Sequence, residues 1–121
     1  MIKIQKQPFS IESVLKSVRN PRAGAVVSFI GAIRREGRLK ALDYESYDEM
    51  AIKKLEELRF KAIKKFGLID VSIVHRKGRL KVGEKVVIVA VSAPHRTEAF
   101  EGCEWLIAEL KKAIPIWKKE E

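Results

Sequence analysis

Residues 93–120 read APHRTEAFEGCEWLIAELKKAIPIWKKE, and how this stretch is divided decides the fold. Phe100, Cys103, Ile107, Leu110 and Ile114 recur at spacings of three and four, which places one apolar stripe on a helix of about four turns. His95 and Arg96 stand before that helix, and Lys111, Lys112, Lys118 and Lys119 stand at or beyond its far end. Lysines in a last turn offset the partial negative charge of the helix C-terminus, so their presence has an ordinary structural account. Lys112 has Glu109 one turn back, whereas Lys111 looks back on Ala108 and Ile107 and finds no carboxylate. Lys111 is therefore the better placed of the two to meet an external anion, and Lys112 reads as a solvated charge. Pro115 removes a donor and biases Ile114 away from helical dihedrals, so the chain has to turn before Trp117. Lys118 then either folds back toward Lys111 beside an anchored aromatic or belongs to a frayed basic tail. Gly102 costs about 1 kcal/mol of helix propensity against alanine.

Working outward, the strand before this helix, Lys85 to Ser92, is almost wholly apolar and so reads as central in its sheet. Ile69 to Arg76 reads as another strand, and Lys77 to Glu84 between them, with glycines at 78 and 83, as a turn or a small satellite sheet. His75 and Arg76 have no Cys, Asp or Glu at ligand spacing, and His75 reads as structural. Further back, Ala51, Leu55, Leu58, Ala62 and Phe66 repeat at helical spacing with Gly67 as the stop, and Ser46 with Glu49 resembles a capping box. Gly24 to Arg34 is rich in β-branched and small residues and reads as a strand buried on much of both faces, with Gly31 marking a bulge or a close backbone approach. Arg34, Arg35, Arg38 and Lys40 surround a turn at Glu36 and Gly37, an exposed basic hairpin tip for all but Arg34. Ser10 caps a first helix whose buried face is Ile11, Val14, Leu15 and Val18, and Ile2 with Ile4 read as a short strand. The predicted order is β-α-β-β-α-β-β-α, an α+β arrangement.

A chain of 121 residues suits one domain, 1–121, with a real core. Cys103 is the single cysteine and lies on the apolar stripe, so no disulfide forms within the chain and a reducing cytoplasm is expected. The N-terminal MIKIQKQPFS lacks the apolar segment of a signal peptide, and no run is long enough to span a bilayer. A net charge of +9 favours anionic partners: nucleic acid, a phosphorylated small molecule or an acidic protein. A Gly-rich phosphate loop, an H-E-x-x-H motif, paired cysteines and a serine nucleophile elbow are all missing, so metal and P-loop chemistry are unsupported.

HR at 95–96, EAF at 98–100, LK at 110–111 and PIWKKE at 115–120 form a specific combination at this spacing. Together with GAVVSFIGAIR at 24–34, LDYESYDEMA at 42–51, HRKG at 75–78 and Gly83–Glu84, they resemble the large catalytic subunit of molybdopterin synthase, the MoaE family. The resemblance implies an α/β hammerhead-type fold, helices on a mixed or antiparallel sheet, with a small additional β subdomain. It implies transfer of sulfur from the C-terminal Gly-Gly thiocarboxylate of a small ubiquitin-like subunit to cyclic pyranopterin monophosphate, forming the molybdopterin dithiolene. No cofactor or metal is expected, because the pterin is the substrate.

The implied assembly is a homodimer of large subunits with a small subunit at each end. Both reagents are anions, and the resemblance assigns their pocket to Arg34, His95, Arg96, Lys111 and Lys118, with backbone contacts from Ala32 and Ile33. His95 and Arg96 are expected from the neighbouring subunit. Lys111 is the expected proton-transfer residue, Lys118 holds the phosphate or the incoming tail, Arg34 and Arg96 orient the phosphate, and Lys119 and Glu120 complete the motif. The competing readings are a basic nucleic-acid-binding domain, which calls for a continuous basic stripe with exposed aromatics, and a noncatalytic adaptor for a ubiquitin-like tail.

Overall fold

The computed structural model describes residues 1–121, the side chain of residue 113 excepted. Its elements are β1 (Ile2–Gln5), α1 (Ile11–Ser17), β2 (Ala25–Ala32), β3 (Ala41–Ser46), α2 (Asp48–Phe66), β4 (Asp70–Arg76), β5 (Gly78–Lys81), β6 (Lys85–Ala93), α3 (Arg96–Ala113) and β7 (Ile116–Glu120). The main sheet has the order β1-β4-β6-β2, parallel between β1 and β4 and antiparallel elsewhere; a second sheet has the order β5-β3-β7. The expected α+β hammerhead-type arrangement with a small β subdomain is the one observed.

The central strands divide their side chains between two cores, as the alternation of a strand dictates. Ile73, Val89 and Val91 face α2 and α3, where Leu55, Ala62, Ala99, Cys103 and Leu106 close the larger core. Val74, Ile88 and Ala90 face the other way, onto Val14 and Val18 of α1. Each fully buried Leu, Ile or Val stabilises the fold by roughly 1.5–3 kcal/mol. A third cluster, Ile33, Leu42, Leu80 and Val86, seats the small sheet against the large one.

The ends of the helices follow local chemistry. Ser10 Oγ accepts the Ser13 amide at 3.1 Å and starts α1. Gly67, at φ 67°, stops α2 in the left-handed conformation, and the Leu68 amide returns to the Ile63 carbonyl at 3.1 Å. Ser46, by contrast, caps nothing: the N-cap of α2 is Tyr47, without a side-chain bond, and the start is favoured by Asp48 and Glu49 against the helix dipole.

The fold departs from the sequence expectation in three further places. Phe100, assigned to the buried stripe of α3, is 61% exposed; the rest of that stripe packs on the core, Cys103 buried and Ile107, Leu110 and Ile114 partly so, and Ala99 and Leu106 complete the buried face. Gly102 belongs to that face, and a Cβ there would come within 2.9 Å of Leu68 Cδ1, so the residue that weakens the helix permits its close approach to the α2–β4 connection. Strand β2 is not buried on both faces but forms an edge, with Val26 47% exposed; the bulge expected at Gly31 is present as a register shift between Gly31 and Ala32. Finally, PIWKKE is neither a turn nor a tail. Ile114 is extended, and β7 pairs with β3 in the register Ser46↔Ile116, Tyr44↔Lys118 and Leu42↔Glu120.

Arg76, at the end of β4 and only 7% exposed, ties the ends of β1, β4 and β6 together and reaches the small sheet through Glu84. Its Nε and Nη2 donate to the Lys6 carbonyl at 3.1 and 3.0 Å, and Nη1 donates to the Lys85 carbonyl and to Glu84 Oε1, both at 3.2 Å. Glu84 Oε2 in turn accepts the Lys81 amide at 2.7 Å.

Candidate active site

The end of α3, strand β7 and the open ends of the two sheets enclose a cavity of about 550 Å³. Two lysines reach it from different elements. Lys111 is placed by the last turn of α3, and Lys118 by β7, where backbone register sets it opposite Tyr44 of β3. The remaining wall is largely apolar, from Phe29, Val87, Ile107, Leu110 and Ile116 among others. Among the described lining residues there is no Asp or Glu. Two cations facing one cavity with no lining carboxylate to neutralise them attract an anion more strongly than either lysine alone.

Tyr44 and His75 complete the polar lining. Their rings meet edge to face, with centroids 5.4 Å apart and planes at 62°. The His75 Nδ1 lies 2.7 Å from the Arg76 carbonyl oxygen, which can only accept, so Nδ1 carries the proton and a neutral ring leaves Nε2 with a lone pair. Burial pushes the imidazole below its ordinary range, partly opposed by that carbonyl, and burial pushes the Tyr44 phenol above its own. Neither residue was singled out for chemistry in the sequence, where His75 reads as structural. The one signal was its place in the HRKG segment of the family resemblance.

The other sequence candidates are not all gathered here within one chain. Ala32 lines the cavity. Ile33 turns away into the small core, and its backbone is engaged, its amide donating to the Glu84 carbonyl at 3.0 Å and its carbonyl accepting the Gly83 amide at 2.8 Å. Arg34 is 82% exposed, pairs with Glu36 and is not among the lining residues. His95 and Arg96 lie at the opposite end of α3 from Lys111, about 22 Å away at 1.5 Å per residue. There His95 faces Glu98 at 3.3 Å and its amide donates to the same carboxylate at 3.2 Å. Lys119 is exposed opposite Asp43, on the other face of β7 from Lys118, and Glu120 is exposed opposite Leu42; neither lines the cavity.

A second hollow, about 650 Å³ and wider open, runs along the β2 edge and α3 between Val27, Phe29, Phe100 and Ile107, and reaches Lys111 and Lys112. Its larger volume does not make it the better reaction site. Its lining is mainly apolar, and the exposed Phe100 within it suits a contact between proteins.

Comparison with known proteins adds a family. The family model described as MoaE protein matches residues 4–113. The molybdopterin synthase catalytic subunit of Pyrococcus abyssi is 44% identical over 98% of this chain and 84% of its own length. That of Bacillus subtilis is 39% identical over 97% and 76%. Among solved structures, the molybdopterin synthase of Staphylococcus aureus superposes with a TM-score of 0.93 at 38% identity, over 98% of this chain and 88% of that one.

Proposed function

The chain belongs to the MoaE family and is a catalytic subunit of molybdopterin synthase, and from that premise we propose how its cavity transfers sulfur. The substrate is cyclic pyranopterin monophosphate, and the sulfur comes as a thiocarboxylate on the C-terminal Gly-Gly of a small ubiquitin-like subunit. The pterin is substrate, not a resident cofactor. The observation that carries this reading is the pair Lys111 and Lys118, delivered by α3 and β7 into one cavity without a lining carboxylate.

Two like charges 4 Å apart repel by about 4 kcal/mol at an effective dielectric of 20, enough to keep thiocarboxylate and phosphate from reacting distance. Two ammonium groups reverse that balance. Lys118, fixed by strand register, holds the phosphate or the incoming tail, and Lys111, on the helix end, serves the proton transfers as sulfur adds to the pterin side chain. The apolar groove of Val27, Phe29, Phe100 and Ile107 supports pairing of two copies along α3. In such a homodimer His95 and Arg96 of one copy complete the phosphate site of the other, which accounts for their distance from Lys111 within a chain. Arg34 joins them once Glu36 releases it.

The test is incubation with the thiocarboxylated small subunit and the pterin precursor, followed by a dithiolene assay. Product is expected from the wild type and not from Lys111→Ala in a single turnover. Near wild-type product formation by Lys111→Ala, with thiocarboxylated partner in excess, removes Lys111 from the chemical step.

A further inference from the structure

Delivery of sulfur from a thiocarboxylate leaves an acyl group behind. Once the sulfur has bonded to a pterin carbon, the tail is attached through a thioester, and its release as a carboxylate requires an oxygen atom that only water supplies. Water attacks the acyl carbon, a C–O bond forms, the C–S bond breaks and its electron pair stays on sulfur as a thiolate. Two protons leave the water in all, so the site needs a proton acceptor.

The cavity holds few groups that could accept one. In the sulfur-transfer reading Lys118 is committed to holding an anion and Lys111 to the proton transfers of sulfur addition, so the release step calls for a separate acceptor. The Tyr44 phenol is kept protonated by burial. No Asp or Glu is found among the described lining residues. Resting on the sulfur-transfer reading, we infer that His75 is the general base of the release step, its Nε2 taking the first proton from the attacking water while the second is lost to solvent from the carboxylic acid product. The geometry supports a fixed base: Nδ1–H is anchored on the Arg76 carbonyl at 2.7 Å, and the ring is held against Tyr44.

The charged and titratable surroundings of His75 are Lys111 from α3, Lys118 from β7 and Tyr44 from β3, all lining the same cavity. Strands β6 and β2 present apolar residues there, including Val86, Val87 and Phe29, and β1 sets Ile4 in register opposite. The two neighbours along the chain are engaged elsewhere, Arg76 with Glu84 and Lys77 with Asp48. Burial of the ring, partly opposed by its bond to the Arg76 carbonyl, lowers its proton affinity and favours the neutral imidazole, the state a base requires.

The experiment uses His75→Gln and His75→Phe, the second keeping a ring against Tyr44 without a lone pair. Each is mixed with thiocarboxylated small subunit and cyclic pyranopterin monophosphate in single turnover, and the small subunit is followed by intact mass. The expected result is normal formation of the covalent tail–pterin adduct, accumulation of that adduct, and release slowed about 100-fold. Wild-type release rises with pH through an inflection below the ordinary histidine range, and both variants lack it. Release at the wild-type rate with the wild-type pH profile in a folded variant overturns the assignment, as does a variant that fails to form the adduct. If the wild type forms neither adduct nor product, it is the sulfur-transfer reading that fails.

Discussion

Replacing Arg76 by leucine keeps most of the apolar stem of the side chain and removes every donor of the clasp that joins the ends of β1, β4 and β6 and, through Glu84, the small sheet. Three acceptors lose their partner: the Lys6 and Lys85 carbonyls and the Glu84 carboxylate. Bonds from a charged donor contribute about 1.5–3 kcal/mol each, but Lys6 and Lys85 are exposed residues whose carbonyls water can partly reach, so about 1 kcal/mol apiece is the appropriate loss. The Glu84 side chain is 39% exposed, and screening holds its share below about 1 kcal/mol. The sum is about 2–3 kcal/mol, which for a domain of this size lowers Tm by roughly 10 °C.

The deficit also depends on pH. The Glu84 carboxyl is held below its usual range, first by the Lys81 amide and then by Arg76. A depressed folded pKa gives stability that is present above the unfolded value and lost as pH falls through the folded one. The gap between wild type and Arg76→Leu is therefore widest near neutrality and narrows in acid, although the Lys81 bond preserves part of the Glu84 effect in both. Differential scanning calorimetry from pH 3 to 7 measures both quantities. A variant melting within 2 °C of the wild type at pH 7, a bound set well under the ~10 °C expected, refutes the clasp. So does a gap that does not change with pH.

Lys118→Ala is expected to cut turnover by at least about 100-fold while leaving Tm within a few degrees, since the residue is exposed on a short strand; activity and melting assays separate the two. If two copies pair along α3 as proposed, Phe100→Glu, which places a charge in the apolar groove, shifts the sedimenting species from dimer to monomer with loss of activity but little loss of fold. The Cys103 thiol, pushed up to about 11 by burial, should resist iodoacetamide at pH 8, where roughly one molecule in a thousand is thiolate, and react fast only in denaturant. Quantitative labelling of the native protein within minutes contradicts its buried position.

Local chemistry was legible where one residue type has one physical use. Ser10 could only cap, Gly67 could only stop a helix with that turn, and the unbroken apolar run of β6 could only be central. Rotation of α3 was harder to read, because its true core face is built from Ala99, Gly102 and Cys103, small residues that any hydrophobicity count ranks below Phe100. Strand β7 was hidden for the opposite reason. An edge position in a small sheet lets Trp117, Lys118 and Lys119 stay largely exposed, so the segment carries the composition of a tail, and only its pairing with β3 makes it a strand. The cavity inherited both errors. Lys111 and Lys118 both line the cavity, although the sequence leaves Lys118 open between a return toward Lys111 and a frayed tail; the neutral partners Tyr44 and His75 depend on how two sheets abut, which no spacing within one strand reveals.

That late pairing has a consequence for how the molecule comes into being. Ile116 meets Ser46 at a sequence separation of 70 (116 − 46 = 70), and closing so long a loop costs on the order of 4 kcal/mol before any reward. The helices and the large sheet gather most of their contacts without it, so the segment bearing Lys118 is expected to dock after the rest has set. A nascent or damaged copy then has a nearly complete body but a cavity that still lacks the strand carrying Lys118.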